Sequence, residues 1–191
     1  FILTFFVFLL FGIKSLLISV LIISSLYLLL TTIRDFFSKT IKLSQKLSHF
    51  GFSLLIFSII FNSILSKEIN RNLRVGETMM TENETVEFKS VSSIKEKNYT
   101  KVLGNFRIKN SDDIITILKP ELRIYDQPNI ITSEADIKIS FFEDKFLVMN
   151  YISGDDYFSV RYQKKPLMLW IWISSIFISL GGILSLVKKK I

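Results

Sequence analysis

Two stretches of this chain leave little freedom in how it can fold: residues 47–65, LSHFGFSLLIFSIIFNSIL, and 166–187, PLMLWIWISSIFISLGGILSLV, contain no Asp, Glu, Lys or Arg. Each is close to the ~20 residues that cross the hydrocarbon core of a bilayer as a helix. In lipid a helix also satisfies its own backbone hydrogen bonds, which an open strand does not. Residues 1–33 are nearly as apolar, with Lys14 as their one charge. Within them 14–33 reads as a further span, and 1–13, turning at Gly12, as the outer end of a preceding helix or a segment in the interface. Phe1 is no initiator, so a longer or processed chain is expected, and no cleavage-site pattern marks residues 1–13 as a signal peptide.

The region between the two uncharged stretches is different in kind. Residues 67–165 hold every acidic residue except Asp35, balanced by an equal number of Lys and Arg. Their apolar residues alternate or form short runs, and no long helical stripe occurs, so strands are expected. The runs lie at Thr85–Ile94, Tyr99–Lys109, Ile114–Tyr125, Ile130–Phe142, Lys145–Ser153 and Tyr157–Gln163. Turn formers separate them, among them Asn110-Ser111-Asp112-Asp113 and Gly154-Asp155-Asp156. The paired acids lack the alternating ligand spacing of a calcium loop and read as solvated turns. The N-x-Thr sequons at Asn83 and Asn98 read as chance.

The expected fold class is an integral membrane α-helical protein with an inserted all-β outer domain, a small antiparallel barrel or sandwich. The organisation follows: an N-terminal apolar segment and first transmembrane helix (1–33), an inner basic loop (34–46), a transmembrane helix (47–65), an outer-side β domain (66–165), a last transmembrane helix (166–187) and an inner basic tail (188–191). The net charge of +7 resides outside the β domain. Arg34, Lys39, Lys42 and Lys46 fill the first link and Lys188, Lys189 and Lys190 follow the last span, so the positive-inside rule puts both clusters on the inner side. A nucleic-acid footprint would need a basic folded surface, which the neutral β domain does not offer, so no nucleic-acid partner is expected. With no cysteine, disulfides, thiolate nucleophiles and cysteine metal sites are excluded.

His49 is the protein's single histidine, and it lies two residues inside an uncharged span. Ionisable groups in spans face a partner, a cavity or a cofactor. Two readings stand. The imidazole is an axial ligand to a haem iron, presented from a rigid apolar wall, or it is an interfacial histidine bonded to a neighbouring helix or a lipid headgroup. Gly51 nearby lets something flat, or another helix, approach the backbone. Trp170 and Trp172, after Lys164-Lys165-Pro166, read as an interfacial aromatic belt, and Gly181-Gly182 as a packing face.

Several stretches together resemble the C-terminal part of the CcmF family, the haem lyase component of cytochrome c maturation. Leu47-Ser48-His49-Phe50-Gly51 resembles the family's spanning-helix histidine motif, with Phe50 in the middle where leucine is usual. Thr32-Ile33-Arg34-Asp35, Gly76-Glu77, Asn98-Tyr99, Pro120-Glu121 with Arg123 and Tyr125, and Thr132-Ser133-Glu134-Ala135 follow the family's order. The fullest match runs from Val160-Arg161 through Lys165-Pro166 and Trp170-Ile171-Trp172 to Leu180-Gly181-Gly182. The resemblance implies that His49 is one of two histidines holding a membrane haem b, the second supplied by a partner chain. It implies as partners other lyase subunits carrying the tryptophan-rich haem segment, apocytochrome c and membrane lipid. The family's other functional histidines and that segment have no counterpart here, so the chain is expected to be a split-gene subunit or a piece of a longer protein, not catalytic alone. The implied location is the mitochondrial inner membrane, or the bacterial inner membrane, with the β domain on the intermembrane or periplasmic side. A non-catalytic structural subunit of a larger organellar membrane complex is the alternative.

Overall fold

The structure, a computed structural model, describes residues 16–111, 113–152 and 156–187. The expected 1–13 segment, Lys14, Asp112, Asp155 and the 188–191 tail lie outside the described residues. The chain forms two units, one of helices and one of strands, the helical one including residues 141–143.

The helical unit contains α1 (Leu16–Phe36), α2 (Leu43–Leu65) and α3 (Met168–Val187), all long and apolar enough to cross a membrane. Between α1 and α2, Ile22 is buried among Ile18, Leu26, Ile60, Phe61 and Ile64. A hydroxyl pair also joins these two helices, Thr32 Oγ1 to Ser53 Oγ at 2.7 Å. Where no water competes, such hydroxyl pairs hold helices in register. The connection is closed by Lys46, whose ammonium donates to the carbonyls of Phe36 (2.9 Å) and Ser38 (2.6 Å). These are acceptors left over at the end of α1, where the helix dipole also favours a cation. α2 therefore begins earlier than the uncharged stretch, because Lys46 serves the neighbouring helix end from within it.

α2 and α3 run in opposite directions and meet at glycines. A Cβ on Gly51 would lie 2.8 Å from both Ser174 O and Ile178 N, and one on Gly181 would lie 2.7 Å from Ser44 O and Ser48 N. Gly182 has nothing within 4 Å, so only the first of the two adjacent glycines belongs to the packing face. Nearer the other end of the pair, Asn62 Nδ2 donates to Pro166 O at 2.6 Å.

The strand unit is a sandwich of two antiparallel sheets. One has the order β1 (Lys67–Leu73), β10 (Phe158–Pro166), β9 (Glu143–Tyr151), β8 (Asp136–Lys138). The other has the order β2 (Thr78–Met80), β3 (Glu84–Lys95), β4 (Tyr99–Asn110), β6 (Glu121–Tyr125), β7 (Ile130–Glu134), with β5 (Ile115–Leu118) pairing β4. Alternate residues from both sheets make the core: Val86, Phe88, Phe106, Ile108, Leu147, Met149, Val160 and Tyr162 are almost completely buried. Phe88 stacks on Phe106 at 4.3 Å between centroids.

Three departures from the sequence reading have physical causes. β1 and β2 are extra strands. β1 is polar and exposed along most of its length and is held by backbone pairing to β10 from Lys67↔Lys164 to Leu73↔Phe158. The expected strand 114–125 is two strands, broken at Lys119-Pro120, where proline has no N–H for a ladder. The expected strand 130–142 is β7 and β8 followed by a non-strand tip, Ile139–Phe142. Of the paired acids, Asp113 has φ +61 and a 2.8 Å ion pair with Lys109, and its ammonium holds the Asp113 carboxyl below the usual range. Among the described residues no group of three His, Cys, Asp or Glu could hold a metal ion.

Candidate functional site

His49 lies in the second turn of α2, and its side chain is exposed. Among the described residues no hydrogen bond or ion pair reaches its imidazole. The rotation of α2 that directs it is set by its neighbour. Phe50 packs edge-on against Phe36 of α1 and Phe177 of α3, both at 5.4 Å, wedged between the two flanking helices. Successive residues differ by about 100° around a helix, so His49 is turned out of that wedge. Gln45, Phe52 and Ile59 are exposed on the same face as His49, with half-buried Ile56 between them, at the i, i+4, i+7, i+11, i+14 spacing of one helical stripe.

Gly51 does not share this face. Two residues on from His49 it is about 200° around the helix, and its open side is filled by Ser174 and Ile178. The glycine admits another helix. His49 thus stands on a separate wall made of Phe52, Ile56 and Ile59. A single imidazole nitrogen on a rigid helix, above an apolar wall, suits one axial position of a flat, largely apolar metal macrocycle. The chain has no other histidine, so a second imidazole ligand cannot come from these residues.

The strand unit holds two groups of charged residues, the first made of residues that the sequence singled out. Strand register places Tyr99 opposite Tyr125 and Lys101 opposite Arg123, then Arg123 opposite Thr132 and Glu121 opposite Glu134. On this outward face Glu121 accepts from Lys101 at 2.8 Å and from Arg123 at 3.2 Å, and the Lys101 ammonium holds its carboxyl below the usual range. Thr132 Oγ1 is buried here with no hydrogen-bond partner among the described residues. Gly76-Glu77, by contrast, is a turn. Gly76 has φ +94, its N–H donates to Phe88 O at 2.7 Å, and the Glu77 carboxylate accepts the Arg74 N–H at 2.8 Å.

The second group was not legible in the sequence. Glu84, 6% exposed, accepts from Tyr162 OH at 2.6 Å, Lys145 Nζ at 2.7 Å and Lys164 Nζ at 3.1 Å, drawing β3 of one sheet to β9 and β10 of the other. Burial alone would raise its carboxyl pKa, but the hydrogen bonds from Lys145, Tyr162 and Lys164 outweigh that and lower it. No spacing signal links residues 61 and 78 positions apart, so only the assembled sandwich reveals the cluster.

At the start of α3 the aromatic residues have particular partners. Trp170 Nε1 donates to Phe141 O at 2.9 Å and the two rings meet edge-to-face at 4.8 Å. Trp172 is 63% exposed.

Residues 64–166 match the family described as the CcmF C-terminal beta-sandwich. Cytochrome c-type biogenesis protein CcmF of Pseudomonas fluorescens is 25% identical over 178 residues, covering 86% of this chain and 27% of the relative. Cytochrome c-type biogenesis protein ccl1 of Rhodobacter capsulatus is 28% identical over 120 residues, covering 63% and 18%. The solved structure of a cytochrome c haem lyase CcmF superposes with a TM-score of 0.59 at 18% identity, covering 81% of this chain and 25% of that one, a likeness of fold. The chain spans about a quarter of the length of such relatives.

Proposed function

The chain belongs to the CcmF family, of which it carries the C-terminal portion, and from that membership we propose that it serves cytochrome c maturation as the C-terminal subunit of a haem lyase complex, with His49 as one axial ligand to a membrane haem b. The observation that carries the reading is an exposed imidazole, unbonded among the described residues, on an apolar helix face whose orientation Phe50 fixes. Haem held there supplies one-electron redox chemistry. The part of this chain is to present the imidazole nitrogen from a wall that does not move and, through Phe52, Ile56 and Ile59, to keep water from that side. Partner subunits carrying the tryptophan-rich haem segment supply the second ligand and the haem to be attached, so this chain does not catalyse alone. The β domain positions those subunits or apocytochrome c.

This reading needs the β domain on the intermembrane side of a mitochondrial inner membrane, or the periplasmic side of a bacterial one. Its support is Arg34, Lys39, Lys42 and Lys46 at the opposite ends of α1 and α2, in a link short enough for the positive-inside rule to govern.

The test is His49→Ala in the purified, assembled complex. The b-type haem spectrum and haem content should fall while subunit recovery stays as in the unsubstituted complex, because α2 packs through Phe50, Gly51 and Ser53 on other faces. An unchanged haem spectrum overturns the ligand assignment and leaves a scaffold role. Protease added to sealed mitoplasts or spheroplasts should cut between Lys95 and Lys101 and spare the Arg34–Lys46 link; the reverse pattern overturns the orientation.

A further inference from the structure

Phe141 and Phe142 lie in the chain between β8 and β9, yet they belong to the helical unit. Two hydrogen bonds tie them to the start of α3: Trp170 Nε1 donates to Phe141 O at 2.9 Å, and the Leu167 N–H donates to Phe142 O at 2.8 Å. Leu167 is built for this. Its φ of +57, costly for a residue with a Cβ, turns the chain from β10 into α3. Its carbonyl then accepts the first helical bonds, from Trp170 and Ile171.

The carbonyls of Phe141 and Phe142 are thus satisfied by the protein, while more than half of each ring stays exposed. Phe141 is 53% exposed and Phe142 69%, and Ile139 just before them is 62% exposed. In water such an arrangement leaves apolar rings solvated for no gain. At the boundary of a bilayer it is what a non-helical segment requires, since carbonyls left unpaired there are penalised and aromatic rings are favoured. The level of the tip is set by α3, a 20-residue span whose first turn lies where a span meets the headgroups. Trp172, one turn into α3, is exposed on another side of that helix, a second aromatic at the same helix end, and exposed Lys138 precedes the tip, a residue suited to anionic headgroups.

We propose that the Phe141-Phe142 tip inserts into the lipid interface beside the first turn of α3, a membrane contact additional to the three spans of the described residues. Its occupant is lipid rather than a protein chain, because the hydrogen bonds from Leu167 and Trp170 hold both rings at the end of a helix long and apolar enough to span, the level at which that helix enters lipid. The proposal does not depend on the haem reading.

The absence of cysteine makes the test direct. The full chain carrying Phe142→Cys, labelled with a nitroxide and reconstituted in phosphatidylcholine–phosphatidylglycerol nanodiscs, is compared with a Glu96→Cys label in the β3–β4 turn. The Phe142 label should collide with oxygen several-fold more, relative to a water-soluble nickel chelate, than the Glu96 label does. Equal accessibility patterns overturn the proposal, and so does shielding from both reagents, which would mean protein cover. The unsubstituted chain gives an independent reading. A diazirine carried at the top of the acyl chain should crosslink within 139–142, and crosslinks confined to the helices overturn the insertion.

Discussion

Replacing Gly181 by alanine tests the α2–α3 contact at one atom. The added methyl would meet Ser48 Oγ, which can rotate away, and also Ser44 O and Ser48 N at 2.7 Å, which cannot. Those backbone distances are about 0.7 Å short of the 3.4 Å at which ordinary contact begins, so the helices must part along the whole seam. Overpacking of this kind costs about 1–3 kcal/mol. Against it, alanine gains about 0.5–1 kcal/mol over glycine inside a helix, leaving a net loss of about 1–2 kcal/mol. Gly182→Ala keeps the helix gain and meets nothing within 4 Å, so it should stabilise by about 0.5–1 kcal/mol. The neighbouring substitutions should therefore differ by about 2 kcal/mol, on the order of thirtyfold in the unfolding constant. Both tryptophans, Trp170 and Trp172, lie on α3, so their fluorescence during an SDS titration in bicelles follows the helices without interference from the strands. If the two variants shift together, or Gly181→Ala is the more stable, the glycine seam is not what holds this pair.

Other consequences follow from the polar contacts. Glu84→Gln should destabilise the β domain by about 2–4 kcal/mol at neutral pH, because Lys145 and Lys164 lose the charge they face. Since the folded carboxyl titrates below its usual 4.5, its contribution is complete above that value and is lost as pH falls through the folded one. Urea melts followed by circular dichroism from pH 7 to 3 should show the wild type and Glu84→Gln converging in acid; a constant gap would contradict the linkage. A double-mutant cycle of Thr32→Ala and Ser53→Ala should give a coupling of about 0.6 kcal/mol, typical of hydrogen bonds between membrane helices, and no coupling would mean that the hydroxyls are spectators.

How far the chain could be read in advance depends on the kind of signal. Runs without charge announce membrane helices by length alone, and α2 and α3 were legible in that way. Strands with an alternating buried face, such as Val86-Phe88 and Ile108-Phe106, were legible too. β1 was not, since KEINRNL has no alternation and is a strand only because β10 pairs with it. The tip at Phe141-Phe142 read as the end of a strand because exposed and buried phenylalanines look alike until their neighbours are known. His49 stood out by its chemistry, yet its relation to Gly51 did not. The sequence left open whether something flat or another helix approaches Gly51, and the neighbour there is a helix, on a different face from His49.

The pairing of β1 with β10 brings together the two points where the β domain joins the rest of the chain, with Lys67 opposite Lys164. Seen from the helices, the whole insertion is a loop whose closure has already been made. A flexible loop of roughly 100 residues would charge about 4 kcal/mol in chain entropy for bringing its ends together. A folded domain that holds its own ends side by side removes that charge, so α2 and α3 find each other as though joined by a short turn. Substitutions deep in the sandwich, at Phe88 or Phe106, should therefore loosen the pairing of α2 with α3 as well.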